Sequence, residues 1–371
     1  EFIKGKIEKT MSVKADVILL GGASGTGKSS IAYELGKLLN MNIVQVDDFQ
    51  CLVEEATKEG DCFFETLGNC GAEDYGKTMK KIIYKKVDAF TSGSSLGNPA
   101  AFIETGKEPL SEDIMQKIAK EHQGFVSEVV YVTQSHADIK LIYYSSECEV
   151  AFCGHGTIAA MHEIIGSNPV LMEQEVVKVQ TNKKGEISVY NKINTENAVY
   201  ITAPEAVWIP VDVTRLELSH ALDIAESKLS AEFPVECIDA GLRTLIVPVK
   251  DLQTEITIMP DITVLKEFCL SKGIDIILIF SLETADKKHF AHTRVFAPKY
   301  GYLEDPATGS GNSAFANYAR KHLHWTSEAI SVEQGSSFMV YNEVKLRYEN
   351  GTILFGGKAS KKIDGVYCIE E

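Results

Sequence analysis

Two stretches far apart in this chain can be laid on one another. CGHGTIAAMH, beginning at Cys153, matches TGSGNSAFAN, beginning at Thr308, with Gly154/Gly309, Gly156/Gly311 and Ala159/Ala314 coinciding. A second pair repeats the relation: KVDAFTSGSSLGNPAAFIE around Asp88 is echoed by CIDAGLRTLIVPVKD around Asp239, and both read as strand, turn, strand. Thr308 follows Cys153 by 155 residues and Asp239 follows Asp88 by 151. Independent matches at nearly one offset argue for two structurally related halves, one ending near residue 200 and the other starting near Pro204, with a site between them. Chance similarity between Gly/Ala-rich stretches is the alternative reading.

A chain of 371 residues is long for one core, so two or three folding units are expected. From Met79, MKKIIYKKVDAF reads as a first strand, LSEDIMQKIAKEH as a helix and DIKLIYYS as another strand. The rest mixes short strands with few helices, an α+β pattern. TIAAMHEII has little polar surface and is expected to be a buried helix wrapped by strands. The boundaries follow as 1–78, 79–200 and 201–371.

Composition excludes several partners. A formal charge of −15 repels phosphate backbones and no basic stripe interleaves with aromatics, so nucleic acid is not expected. No apolar run approaches the roughly 18 residues that cross a bilayer. Eight cysteines are scattered without CxxC pairs or zinc-type Cys/His spacing, and the N-terminus lacks the pattern of a secretory signal. A reduced cytoplasm is the expected setting, with no metal site. The first ten residues, EFIKGKIEKT, read as an upstream fragment or expression remnant ahead of a start at Met11.

Near the N-terminus, GASGTGKS from Gly22 to Ser29 satisfies GxxxxGK[ST] between an apolar strand pattern, Val17 to Leu20, and a helical one carrying Ile31, Leu35, Leu38 and Leu39. This is a phosphate-loop signal in a short βαβ segment. Gly22 and Gly27 would shape the loop, Lys28 would reach nucleotide phosphates and Ser29 would ligate Mg²⁺, with Asp47 or Asp48 at the end of the next strand. The segment resembles the opening of a P-loop kinase and raises ATP with Mg²⁺ as a ligand. No Walker-B-type acid, lid arginine or further parallel strands follow before a boundary near residues 67–78. A remnant is therefore the expected reading.

In each half a glycine loop runs into a helix, whose first backbone N–H groups have no intrahelical partner and can bind an anion. Two such ends facing one another would clamp a carboxylate, with His155 and Ser310 adding side-chain donors at equivalent positions. For either loop alone, a helix cap with no ligand is the competing reading.

The succession VDAFTSGSSLGNPAAFI, LSEDIMQKIAKE, SEVVYV, CGHGT, TRVFAP and EDPATGSGN resembles the PhzF family of isomerases over roughly residues 79–371. The resemblance implies a fold like that of diaminopimelate epimerase: two pseudo-symmetric, strand-rich barrel halves, each around a central helix. It implies a cofactor-independent isomerase acting on a small carboxylate-bearing metabolite, often as a homodimer. It places the acid/base on Glu128, puts Gly154, His155 and Gly156 in the first loop, and adds Asp305, Gly309, Ser310 and Gly311 from the second. His155 and Asp305 would hold polar groups of the substrate or relay the proton. HQGFVSEVVYV departs from the asparagine-leucine more usual before the serine-glutamate pair, which bears on pocket shape. Racemases of the related fold use one cysteine from each half. Here Cys153 has Pro306, Ala307 and Thr308 around the corresponding place, so a two-thiol mechanism is disfavoured and Cys153 reads as a buried loop residue. A nucleotide-binding regulatory protein working through the P-loop is the reading from another class.

Overall fold

Side-chain alternation tells which strands face water. Val176–Thr181 exposes and buries its residues in strict turn, the period of a strand with one face on a core. Ile276–Ser281 is buried at every position, as a strand covered on both faces must be. The computed structural model describes residues 79–370 apart from 107–108, 136–137 and 338, and Lys80–Ile369 form one compact unit. The phosphate-loop residues Gly22, Gly27, Lys28 and Ser29, with Asp47 and Asp48, lie outside the described residues.

The chain runs β1 (Met79–Ala89), β2 (Asn98–Gly106), α1 (Glu112–Glu121), β3 (Glu128–Ser135), β4 (Asp138–Ser145), β5 (Glu149–Val150), α2 (Gly154–Gly166), β6 (Val176–Thr181), β7 (Gly185–Lys192) and β8 (Ala198–Thr202). It continues through β9 (Val207–Ile209), β10 (Glu236–Asp239), β11 (Arg243–Pro248), α3 (Ile262–Lys272), β12 (Ile276–Ser281), β13 (Ala291–Phe296), β14 (Glu304–Asp305), α4 (Gly309–His322), β15 (Ala329–Gln334), β16 (Asn342–Glu349), β17 (Thr352–Gly357) and β18 (Ala359–Glu370). Short helices, among them Leu252–Thr257, fill the connections. Among the described residues no helix is long and apolar enough to cross a membrane.

The pairing pattern repeats. In the first half β1–β2 is antiparallel, β2–β3 parallel, β3–β4 and β4–β5 antiparallel, β4–β6 parallel, and β6–β7 and β7–β8 antiparallel. Shifting every label by nine gives the second half, from β10–β11 through β16–β17, with the same directions throughout. The ends obey the same rule cyclically: β9 pairs with β10, and β18 returns to pair with β1. All eighteen strands belong to one sheet, joined between the halves by the antiparallel β8–β17 ladder. The strand–turn–strand echo and the loop-to-helix echo of the sequence are β1–β2 with β10–β11, and the entries to α2 and α4.

The two central helices can be wrapped because they are nearly apolar and thin. Helix α2 buries Ile158, Ala159, Ala160, Met161, Ile164 and Ile165 and packs on β2, β3 and β8. Its alanines let strands approach closely. Helix α4 buries Ala314, Phe315, Ala316, Tyr318 and Ala319. Its buried polar residues bond back to the preceding turn, Asn312 Nδ2 to the Thr308 carbonyl at 2.8 Å and Ser313 Oγ to the Gly309 carbonyl at 2.8 Å, so no donor is stranded. Arg320, Lys321 and His322 at its end oppose the partial negative charge of the last carbonyls.

One apolar cluster runs through both halves, from Val87 and Phe102 past Ile158 to Phe280, Phe315 and Phe355. Phe315 lies at its centre, fully buried and 5.0 Å from the Phe280 ring. Emptying that position removes packing that strands on several sides cannot collapse to replace. Phe315→Ala is expected to lower the unfolding free energy by about 3–5 kcal/mol, read as a lower denaturant midpoint.

Candidate active site

The repeat lets each residue at the loops be matched to its counterpart by register. Tyr143 pairs with Val150 in the first half and Val295 with Asp305 in the second, so Asp305 stands where the first half has Val150. Cys153 and Thr308 are then the matched N-caps of α2 and α4, and His155 and Ser310 the matched second residues. Val129 pairs with Tyr144 and Ile277 with Phe296, which places Ile276 opposite Glu128 in the repeat. The scaffold is two-fold; the chemistry on it is not.

The first half contributes a tight group. Glu128 is the first residue of β3, held there by pairing with Ser145. Its Oε2 lies 3.3 Å from His155 Nε2, with the two side chains 23% and 14% exposed, so the pair is sheltered yet reachable. Cys153 Sγ lies 3.7 Å from Glu128 Oε2 and 3.6 Å from His155 Nδ1, and accepts the Gly156 N–H at 3.3 Å. Cys153 is buried, as its loop position suggested, but it belongs to the site and is no bystander. Burial, followed by the charge of Glu128, pushes its thiol well above the ordinary range, so it sits there as S–H. A Cβ at Gly156 would stand 2.8 Å from Val130, which is why only glycine fits between the helix start and β3.

The second half contributes Asp305. Burial raises its pKa to about 6, although the Thr308 hydroxyl donates to Oδ2 at 2.8 Å and lowers it in part; His155 and Glu128 act on it with opposite signs. Asn98, buried at the start of β2, donates to Asp305 Oδ1 at 2.8 Å and to the Ala307 carbonyl at 2.7 Å, tying the first half to the loop of the second. Gln334 braces that loop from β15: Oε1 accepts from Thr308 N and Asn312 Nδ2 at 3.0 and 2.7 Å, and Nε2 donates to the Asp305 carbonyl at 2.9 Å. Behind it Arg294, fully buried, grips Glu304 at 2.9 and 2.8 Å and donates to the carbonyls of Glu255 and Ile258 at 2.7 Å each. Asp305 is therefore held from its side chain, its carbonyl and its preceding residue.

The two helix starts meet at one ring. A Cβ on Gly154 would lie 3.1 Å from Phe355 Cε2, and one on Gly309 only 2.3 Å from it. With Thr308 turned to Asp305 rather than capping α4, the first N–H groups of α4 have no side-chain acceptor from the N-cap. Gly311 and Gly309 are buried and Ser310 is half-buried at that entrance. Tyr302 is partly exposed at the same entrance; burial of part of its side chain, then the charges of Asp305 and Glu128, raise its pKa.

Glu128, His155 and Asp305, together with Gly154, Gly156, Gly309, Ser310 and Gly311, thus come from two loops and one strand end around Phe355. Asn98, Thr308 and Gln334 are additions. Asn98 lies inside the quoted GNP turn, where its identity could have been noticed; Gln334 carries no local signal.

The profile of the PhzC-PhzF family, described as phenazine biosynthesis-like protein, matches residues 87–365. The uncharacterised isomerase YfhB of Bacillus subtilis is 30% identical over 79% of this chain and 98% of its own length. The protein antisense-enhancing sequence 1 of Schizosaccharomyces pombe is 26% identical over 77% of this chain and 99% of its own. Among solved structures, a PhzF-family protein of Bacillus anthracis aligns with a TM-score of 0.67 and 25% identity over 78% of this chain and 100% of that one. A PhzF-family protein of Enterococcus faecalis, at 24% identity and TM-score 0.61 over 78% and 99%, shares the fold. With the ordered motifs, the repeated topology and these matches in agreement, the chain belongs to the PhzC-PhzF family of phenazine biosynthesis-like proteins.

Proposed function

We propose that this chain is a PhzF-type isomerase that moves a proton within a small carboxylate-bearing metabolite, Glu128 taking it from one carbon and returning it to another. The observation that carries the reading is the Glu128–His155 contact of 3.3 Å, at a position partly open to solvent and next to two glycine-led helix starts. A carboxylate in such a place can serve as base and acid in turn, so the reaction is balanced within one substrate. His155 steadies the charge on Glu128 as the proton comes and goes. Free N–H groups at the starts of α2 and α4 supply donors for the substrate carboxylate. No step calls for a redox or group-transfer cofactor.

An epimerase that used two opposed thiols would need a cysteine where the register places Thr308. The family profile favours the one-carboxylate reading. Isomerisation of trans-2,3-dihydro-3-hydroxyanthranilate, the substrate that the resemblance implies, is the first assay. Glu128→Gln is expected to lower turnover by about 10²–10⁴-fold, the usual worth of a positioned acid/base. A folded Glu128→Gln protein that keeps wild-type turnover would remove Glu128 from the reaction.

Asp305 gives a pH signature. Its carboxylate, as an anion, accepts from Asn98 and Thr308 and faces His155. Protonation weakens all three interactions, so kcat/KM should fall as pH drops through about 6, and Asp305→Asn should lack that limb while being slower throughout. An unchanged acid limb in the variant would assign it to another group.

The N-terminal glycine motif is read separately as a remnant. Titration of ATP with Mg²⁺ should give no measurable binding to wild type or to Lys28→Ala. Binding that the substitution abolishes would instead establish a working nucleotide site.

A further inference from the structure

The matched N-caps of α2 and α4 share more than their place in the repeat. Thr308 donates its hydroxyl to Asp305 Oδ2 at 2.8 Å. Cys153, its counterpart, has its sulfur 3.7 Å from Glu128 Oε2, within reach of a thiol donor. The two carboxylates are not counterparts of one another, since the register sets Asp305 against Val150 and Glu128 against Ile276. Two carboxylates of different origin are thus met by side chains from equivalent positions at the helix starts.

The sulfur is held from its other side. Cys153 is buried, its Sγ accepts the Gly156 N–H at 3.3 Å, and a Cβ on Gly156 would stand only 2.9 Å from that sulfur. With the sulfur pressed on the first turn of α2, its S–H has two acceptors in reach, Glu128 Oε2 and, at 3.6 Å, His155 Nδ1. A charged carboxylate is the stronger acceptor of the two, and the protonated thiol has a hydrogen to give. Capping alone does not call for sulfur here, because serine, threonine, aspartate and asparagine cap a helix better. Glu128 Oε2 is therefore approached from two directions, by the thiol and by His155 Nε2 at 3.3 Å, while the side chain stays 23% exposed on the side left open.

We propose that Cys153 is a positioning residue for the acid/base: its S–H donates to Glu128 Oε2 and fixes that oxygen beside His155, as Thr308 fixes Asp305. The thiol keeps its proton and forms no bond to substrate. The effect on turnover rests on the acid/base reading above; the hydrogen bond does not.

The bond can be read directly, because an S–H stretch absorbs in an infrared window free of other protein bands and falls in frequency when the thiol donates. In the full-length protein the band that vanishes in Cys153→Ser belongs to Cys153. It should rise in frequency in Glu128→Gln, whose neutral amide is the weaker acceptor. A band unmoved in Glu128→Gln, or moved only in His155→Gln, would send the proton elsewhere and overturn the proposal. In turnover, Cys153→Ala should lower kcat about 3–10-fold with KM little changed, the worth of one hydrogen bond made to a reacting group. Cys153→Ser keeps both a donor and the Gly156 cap and should recover most of that loss, with circular dichroism verifying that each variant folds. A wild-type kcat in Cys153→Ala, or a Cys153→Ser protein as slow as Cys153→Ala, would overturn the positioning role. If the chain proves to have no isomerase activity, the turnover effect falls with that reading, and the infrared band still decides the bond.

Discussion

The site depends first on a steric fact. Two helices from different halves begin with glycine because the Phe355 ring lies where either Cβ would be, 3.1 Å from the one at Gly154 and 2.3 Å from the one at Gly309. Phe355 is itself locked by β17, which pairs through Ile201 with β8 of the other half. Close backbone approach at one ring therefore sets where both sets of helix N–H groups sit.

On this symmetric frame the side chains divide the work unequally. The first half supplies a carboxylate and an imidazole in contact, Glu128 and His155, with a buried thiol beside them. The second half, with isoleucine opposite Glu128, supplies a braced carboxylate. The bracing is extensive around a half-buried carboxylate. Asn98, Thr308 and Gln334 satisfy its loop atom by atom, and the buried Arg294–Glu304 pair keeps the preceding residue from moving. A buried pair of this kind adds little net stability against an apolar replacement. Its value here is positional.

Much of this was legible in the chain. The glycine loops declared themselves by spacing, the strand–turn–strand echo by its matching offset, and α2 by an apolar stretch too unbroken for a surface helix. Glu128, His155 and Asp305 entered through ordered motifs. What stayed hidden depends on register. Nothing local tells that Asn98 will reach Asp305, 207 residues on, or that Gln334 will lie under Thr308, 26 residues back, because each partner is set by how the strands pair. Cys153 is buried in its loop as the sequence suggested, and its closeness to Glu128 and His155 depends on the register of β3 against the helix start.

The return of β18 to β1 has a consequence for how the chain folds. The first half lacks an edge strand until β18 is in place, while β9, which follows β8 at once, serves the second half. Without β18, β1 has only β2 beside it, an unpaired edge open to mispairing. Closing that edge joins residues at opposite ends of the described sequence, the costliest kind of loop to close and the slowest to form. Pairing of β18 with β1 is therefore expected to be the slow event that commits the first half to its native state.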